Sequence, residues 1–309
     1  MMLNVFSWNV LSDAYFTADD YPTYNKFYFD SDRKREQVLK QLEEIMKSNT
    51  LIALQEVCNN VMPELVKLAV NMNYVMRDAY YGNEKSGNMG VVLMWPNIYK
   101  VEKYVQIVVG QHILEETPIY RKSWWDWIRR VPTPLCPIKY AKSRSNVLIA
   151  VNLIDPNTEF TFTFAVYHMP CAFWDMRIMQ YHLNVVEQTC RELSASRAFV
   201  NSDLLDQKYS TPLILCMDMN AKPDSTLYSY LTEKNLVSVH KFENKEPEFT
   251  INTHSGFSKG PFKGTIDYLW VPIGWLNGVK TYMPVTNKLL PNDEFPSDHL
   301  WTEAELYFV

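Results

Sequence analysis

Asp218 and Asn220 stand two residues apart where the oily run PLILCMDMN ends, and the arrangement recurs. Asn9, Glu56, His168 and Asp267 each end or interrupt an apolar run, and Asp298 and His299 precede the last one. An ionised carboxylate can take a proton from water, whereas a carboxamide can only orient by hydrogen bonds. Carboxylates gathered at one edge repel each other unless protons or a cation intervene. Hard divalent cations prefer oxygen, and Mg²⁺ is held by one or two carboxylates together with water and substrate phosphate. The set therefore predicts a divalent-cation site, for Mg²⁺ or, as a substitute, Mn²⁺.

Those residues need a scaffold that brings strand ends together. The runs LNVFSWNVL, LIALQEV, GVVLMW, NVLIAVNLI, FTFTFAVYHM, PLILCMDMN, TIDYLWV and TEAELYFV are apolar at most positions, as strands covered on both faces are. Between them lie helical patterns. Val38, Leu42 and Ile45 fall on one face of a segment from Asp32 to Lys47, and further helices are expected over 62–72, 175–193 and 225–231. Strands mixed with helices in this order predict an α/β fold with two packed sheets and helices outside. No linker, repeat or low-complexity tract divides the 309 residues, so one domain over 1–309 is expected.

Composition excludes several classes. A net charge of −5 is wrong for a protein that coats nucleic acid nonspecifically, though not for one that grips a few phosphates. The five cysteines, Cys58, Cys136, Cys171, Cys190 and Cys216, are scattered and odd in number. They read as reduced thiols of a cytosol-like compartment, not a disulfide framework or a zinc site. The start, MMLNVFSWNV, reads as a strand and not as a signal peptide, and no apolar run reaches the ~18 residues needed to span a bilayer. A cytoplasmic monomer is expected.

In fixed order, SWNVLSDAY (7–15), LQEV (54–57), YHMP (167–170), MDMNAKPDSTLY (217–228), FKGTIDYLW (262–270) and PSDH (296–299) resemble the motifs of the endonuclease/exonuclease/phosphatase superfamily. Within it the chain is most similar to the carbon-catabolite-repressor-type deadenylases, nocturnin and the 2′-phosphodiesterases. That resemblance implies a four-layer α/β sandwich of the deoxyribonuclease I type, with two mixed β-sheets flanked by helices. It implies a phosphodiesterase acting as a 3′–5′ exoribonuclease on poly(A) RNA. It assigns Glu56, with Asn9 beside it, to the metal, and leaves Asp298 as a further metal position. Asp218 becomes the general base with Asn220 as its orienting partner, His299 binds a nonbridging oxygen, Asp267 sets the His299 tautomer, and His168 stabilises developing charge. Phe262 matches a base-stacking position, and Asn252 falls near a base-contacting amide.

Other substrates remain open on the same cluster: 2′,5′-oligoadenylate, a nucleotide 2′-phosphate, or a phospholipid headgroup as in sphingomyelinases. A catalytically dead binding module is disfavoured because every group that the chemistry needs is present. The region 112–146 matches no motif and reads as an insertion. From 117 to 145 it carries seven basic residues against one acid, Asp126. RKSWWDWIRRVP (121–132) reads as a short helix whose Trp124, Trp127, Arg129 and Arg130 suit RNA, a membrane surface or a protein partner. Leu11 stands where some branches carry a second metal-site Asp. Met217 and Met219 replace the usual Gly and Phe around Asp218, and a smaller neighbour on an adjoining strand is expected to make room for Met217.

Overall fold

Strands of three to nine residues pair into two six-stranded sheets whose inner faces pack on each other. The computed structural model describes residues 1–21, 29–114, 136–195, 211–254 and 260–309. The strands are β1 (Met2–Asn9), β2 (Leu51–Val57), β3 (Tyr74–Tyr80), β4 (Gly90–Pro96), β5 (Lys100–Val108), β6 (Val147–Ile154) and β7 (Thr161–His168). They continue with β8 (Leu213–Asp218), β9 (Leu236–Ser238), β10 (Ile251–Thr253), β11 (Phe262–Gly264), β12 (Asp267–Pro272), β13 (Leu276–Tyr282) and β14 (Thr302–Phe308). The first sheet runs β13-β14-β1-β2-β4-β3 and the second β5-β6-β7-β8-β12-β9, while β10 and β11 form a separate ribbon. Each sheet contains a parallel pair, β1 with β2 and β7 with β8, and is otherwise antiparallel.

Three apolar layers follow from strand alternation. On β1, Leu3 and Val5 meet Ile149, Phe164, Ile214 and Leu269 of the opposite sheet in the central core. Phe6 and Trp8 point the other way, onto the helices Ser31–Met46 and Met62–Asn71. The second sheet turns Ala165, Tyr167, Leu215, Met217 and Trp270 onto the helices Pro137–Ser143, Met176–Ala195 and Thr226–Glu233. The order is helices, sheet, sheet, helices, the four-layer sandwich that the motifs implied. Helix starts follow capping chemistry: Asp30 accepts from the Asp32 and Arg33 amides, and Ser225 from that of Tyr228.

Met217 is fully buried, but its in-register neighbours are Tyr167 on β7 and Tyr268 on β12, so no small residue flanks it. Each ring is held by its hydroxyl, Tyr167 to His182 Nδ1 and Tyr268 to the Ala221 and Thr265 carbonyls. The unbranched thioether chain packs in the same cluster, which also contains Ala165, Ala172 and Ala221. The helix expected over 121–132, with Trp124, Trp127, Arg129 and Arg130, lies outside the described residues. All five cysteines are free thiols. Among the described residues no helix is long and apolar enough to cross a membrane.

Candidate active site

Strand register assembles half of the site. His168 ends β7, Asp218 ends β8 and Asp267 opens the antiparallel β12, and the three pair side by side in one row across the sheet. Alternation sends them inward, because Val166, Cys216 and Leu269, two residues away on their respective strands, lie in the central core. From the facing sheet, Asn9 shares the inward parity of Leu3 and Val5, and its side chain reaches Asp218.

Glu56 breaks parity. Ile52 and Leu54 face the outer helices, and strict alternation would send Glu56 after them. Instead the register with β4 shifts between Leu54 and Val57, and Glu56 takes a left-handed backbone, φ 58°. This bulge turns the carboxylate into the cleft. There Asn9 Nδ2 donates to Glu56 Oε1 at 3.2 Å and to Asp218 Oδ2 at 2.9 Å, tying the two sheets together. The Ser12 amide donates to Glu56 Oε2 at 3.0 Å, and the Leu11 amide to Asn9 Oδ1. Leu11 (φ 57°) and Asn220 (φ 49°) are also left-handed, so three non-glycine residues at the site hold backbone conformations that cost ~1 kcal/mol or more each. The Leu11 strain is held by Lys34, a buried lysine whose Nζ donates to the Leu11 carbonyl and pairs with Asp13 Oδ1 at 2.7 Å.

His299 enters on the segment before β14. Its Nδ1 lies 2.9 and 3.1 Å from the two Asp267 oxygens, and Thr250 Oγ1 donates to Asp267 Oδ2 at 2.5 Å. Trp8 Nε1 donates to the His299 carbonyl, and Ser297 Oγ to that of Asn9. Burial alone would depress the His299 pKa, but Asp267, then Asp298 and Asp218, hold it well above the ordinary imidazole value. It is therefore an imidazolium whose Nε2 lies 3.9 Å from Asp218 Oδ2 and 3.8 Å from Asp298 Oδ1. Burial and then the Asp267 charge push the Asp218 pKa up to about 6, against the pull of His168, His299 and the Asn9 amide. Burial also raises that of Asp298, whose Oδ2 accepts the Tyr21 hydroxyl at 2.8 Å.

His168 sits at the centre of the cluster. The Asn220 amide donates to the Met169 carbonyl at 2.9 Å, which fixes its orientation and presents N–H to His168 Nε2 at 3.2 Å. Nε2 is then the accepting nitrogen, and Nδ1–H donates to the Tyr81 hydroxyl oxygen at 2.5 Å. Burial, then Glu56 and Asp218, raise the Tyr81 pKa far above 10, so it stays a phenol. Ser145 Oγ donates to the Tyr81 carbonyl and Asn146 Nδ2 to that of His168, which locks the pair from behind. Tyr21, Tyr81, Ser145, Asn146 and Thr250 escape sequence reasoning, because a lone Tyr, Ser, Asn or Thr carries no spacing signal. Only a polar residue at the border of an apolar run, as Tyr81 and Asn146 are, could have marked them.

Of the residues expected from sequence, Glu56, His168, Asp218, Asn220, Asp298 and His299 line one cleft, with Phe262 on its wall. Asn9 and Asp267 stand directly behind them. Asn252 does not join: its β10 neighbours Ile251 and Thr253 line the cleft, so alternation turns it to the other face, where Nδ2 donates to the Lys288 carbonyl. Glu56 and Asp298, which line the cleft, are oxygen donors of the kind a hard divalent cation prefers, and among the described residues Asp218, Asp267 and His299 offer ligand atoms within 4.8 Å of one another. Asp267 is already bonded by His299 and Thr250, which leaves the cleft-lining carboxylates as the better donors.

This convergence of motif residues accords with comparison to known proteins. The profile of the endonuclease/exonuclease/phosphatase family matches residues 6–299. The chain belongs to that family. Nocturnin of Xenopus laevis is 32% identical over 122 residues, 35% of this chain and 31% of that protein. Carbon catabolite repressor protein 4 homolog 4 of Arabidopsis thaliana is 28% identical over 156 residues, 43% and 35% of the two chains. The chain thus aligns with about a third of the length of these relatives. In fold it matches the human Nocturnin catalytic domain with a bound sulfate anion, at TM-score 0.68 and 20% identity, covering 100% of this chain and 95% of that one. The 2′,3′-cyclic phosphatase ANGEL2, in complex with adenosine-2′,3′-vanadate, matches at TM-score 0.73 and 15% identity, covering 99% and 96%.

Proposed function

We propose that this chain is a Mg²⁺-dependent phosphodiesterase that removes nucleotides from the 3′ end of RNA, with preference for adenylate. One observation carries the reading: a carboxylate near neutral pKa (Asp218), an imidazolium (His299) and a tautomer-fixed histidine (His168) converge on one cleft with Phe262 in its wall. Glu56 and Asp298 would hold the cation, with Asn9 beside Glu56, and when bound it would polarise the phosphoryl group and offset charge on its oxygens.

The rest is done by this chain's own side chains. Asp218, close to the optimum for a base at neutral pH, takes the proton of the attacking water while Asn220 orients it. His299 donates from Nε2 to a nonbridging oxygen, its charge sustained by Asp267, while His168, whose Nε2 accepts from the Asn220 amide, holds Asn220 in place. Phe262 would hold the terminal base by stacking, worth roughly 1–3 kcal/mol. The enzyme would act as a monomer in a reducing, cytosol-like compartment, where its five free thiols persist.

The test is degradation of a labelled oligoadenylate by purified protein in Mg²⁺, with and without chelator. Stepwise shortening from the 3′ end, stopped by chelator and by Glu56→Gln or Asp218→Asn, is expected. Cleavage of only 2′,5′-linked oligomers, nucleotide 2′-phosphates or sphingomyelin would overturn the substrate assignment. Full activity in either variant would overturn the site.

A further inference from the structure

Adjacent exposed aromatics beside a cleft form the kind of contiguous patch that a ligand or partner covers. Phe173 and Trp174 are 58% and 67% exposed, although they follow His168 by only five and six residues. Phe173 lines the catalytic cleft. Trp174 stands edge-on to Tyr140 at 5.6 Å, and the Arg144 guanidinium lies over the other side chain of that contact, 5.8 Å from the Tyr140 ring centre. Arg144 itself lines the cleft. The three side chains therefore form a continuous ridge that begins in the cleft wall and runs outward.

Its base is locally basic. Residues 136–146 carry Lys139, Lys142 and Arg144 and no acid, in a chain of net charge −5. Arg144 makes no side-chain hydrogen bond or ion pair with any described residue, and its buried Nε has no acceptor there. The nearest acid along the chain from Trp174 is Asp175, whose charge is taken by a two-pronged bond from Arg177 at 2.6 and 2.8 Å. The ridge is also rigid at its base. Arg144 caps its helix by donating to the Ala141 carbonyl, and its own carbonyl packs so close to Gly110 that a Cβ there would come within 2.4 Å. Ser145 and Asn146 bond the carbonyls of Tyr81 and His168, so the ridge is indexed to the catalytic histidine.

We propose that Trp174, Tyr140 and Arg144 form an outer subsite for single-stranded polynucleotide: a base stacks on Trp174 while Arg144 holds the phosphate that links it to the nucleotide in the cleft. Aromatic faces beside a guanidinium with no partner among the described residues suit a chain of bases and phosphates. The inference rests on the phosphodiesterase reading and narrows it, because such a subsite rewards substrates that extend beyond the cleft over dinucleotides and monoesters.

The experiment compares kcat/KM for an adenylate dinucleotide and for an oligoadenylate of roughly a dozen nucleotides, in the wild type and in Trp174→Ala and Trp174→Phe. Stacking energies convert to about a tenfold preference for the longer substrate in the wild type, lost in Trp174→Ala and largely restored in Trp174→Phe. Equal efficiency on both substrates, or a preference that survives Trp174→Ala, would overturn the subsite while leaving the phosphodiesterase reading intact. If neither substrate is cleaved, that reading fails, and fluorescence anisotropy of the labelled oligoadenylate decides the subsite separately: no binding, or binding unaffected by Trp174→Ala, overturns it. Loss of sedimentation with phosphatidylserine vesicles in Trp174→Ala, with oligoadenylate binding unchanged, would make the ridge a lipid contact and overturn it too.

Discussion

His182 gives the most quantitative test of the packing behind the site. It lies fully buried on the helix Met176–Ala195, with Nε2 2.9 Å from the Ala141 carbonyl and Nδ1 2.7 Å from the Tyr167 hydroxyl. The carbonyl needs a donor, so Nε2 carries the proton and Nδ1 accepts from Tyr167. This neutral ring is satisfied on both sides, and a second proton would have to displace the tyrosine hydrogen. Burial lowers its pKa from 6.5 to about 4. Above pH 6.5 both folded and unfolded chains hold the ring neutral, and it contributes no pH dependence. As pH falls below 6.5 the unfolded chain binds a proton that the folded chain refuses, so stability drops until pH 4, where the folded ring also titrates. At 1.36 kcal/mol per unit the whole window amounts to roughly 3 kcal/mol, of which about 1.4 kcal/mol has been lost by pH 5.5.

Other groups titrate over the same range, His240 with the same sign and Asp218 with the opposite one, so the wild-type curve alone is not diagnostic. The difference between the wild type and His182→Gln isolates the ring. Glutamine forfeits one of the two bonds, a pH-independent loss of about 1–2 kcal/mol. Urea unfolding followed by tryptophan fluorescence at pH 7.5 and 5.5, in chelator, should show the variant's deficit shrinking by about 1.4 kcal/mol at the lower pH. An identical deficit at both values would refute the buried neutral ring.

Replacing Tyr81 with Phe removes the acceptor for His168 Nδ1–H; kcat should fall about tenfold with little change in KM, and the His168 nitrogen shifts in NMR should report a mixture of tautomers. With Asp267→Asn the imidazolium of His299 loses its main support, so kcat should drop a hundredfold or so, and the alkaline limb of the rate profile should move to lower pH. A Cβ at Gly90 would meet the Ala79 carbonyl at 2.4 Å, and Gly90 pairs with Val57 beside the Glu56 bulge. Gly90→Ala should therefore lower the melting temperature, by an overpacking cost of about 1–3 kcal/mol, and should reduce turnover through the displaced Glu56.

What the sequence by itself determined was the identity of the chemical groups and their position at strand ends. Apolar runs broken by Asn9, His168, Asp218 and Asp267 are legible because a side chain that must leave a core can do so only where the strand stops. Which face each takes was not legible, because these strands are apolar on both faces and only the packing turns Val166, Cys216 and Leu269 to the central core. The helices expected over 32–47, 62–72, 175–193 and 225–231 form within two residues of those bounds, whereas Pro137–Ser143 and Val239–Glu243 were not expected. Tertiary structure decided the rest. No periodicity says that Glu56 escapes its own alternation through a bulge, because the bulge exists only against β4. The same holds for Asn252, turned out of the cleft by its place in the β10–β11 ribbon, and for Met217 between two tyrosines anchored by their hydroxyls. Tyr81 became part of the site because β3 and β7, in different sheets and far apart in the chain, end at the same rim. A single bond at 2.5 Å across that rim has no local signature, since it depends on where two sheets meet and not on the residues beside either partner.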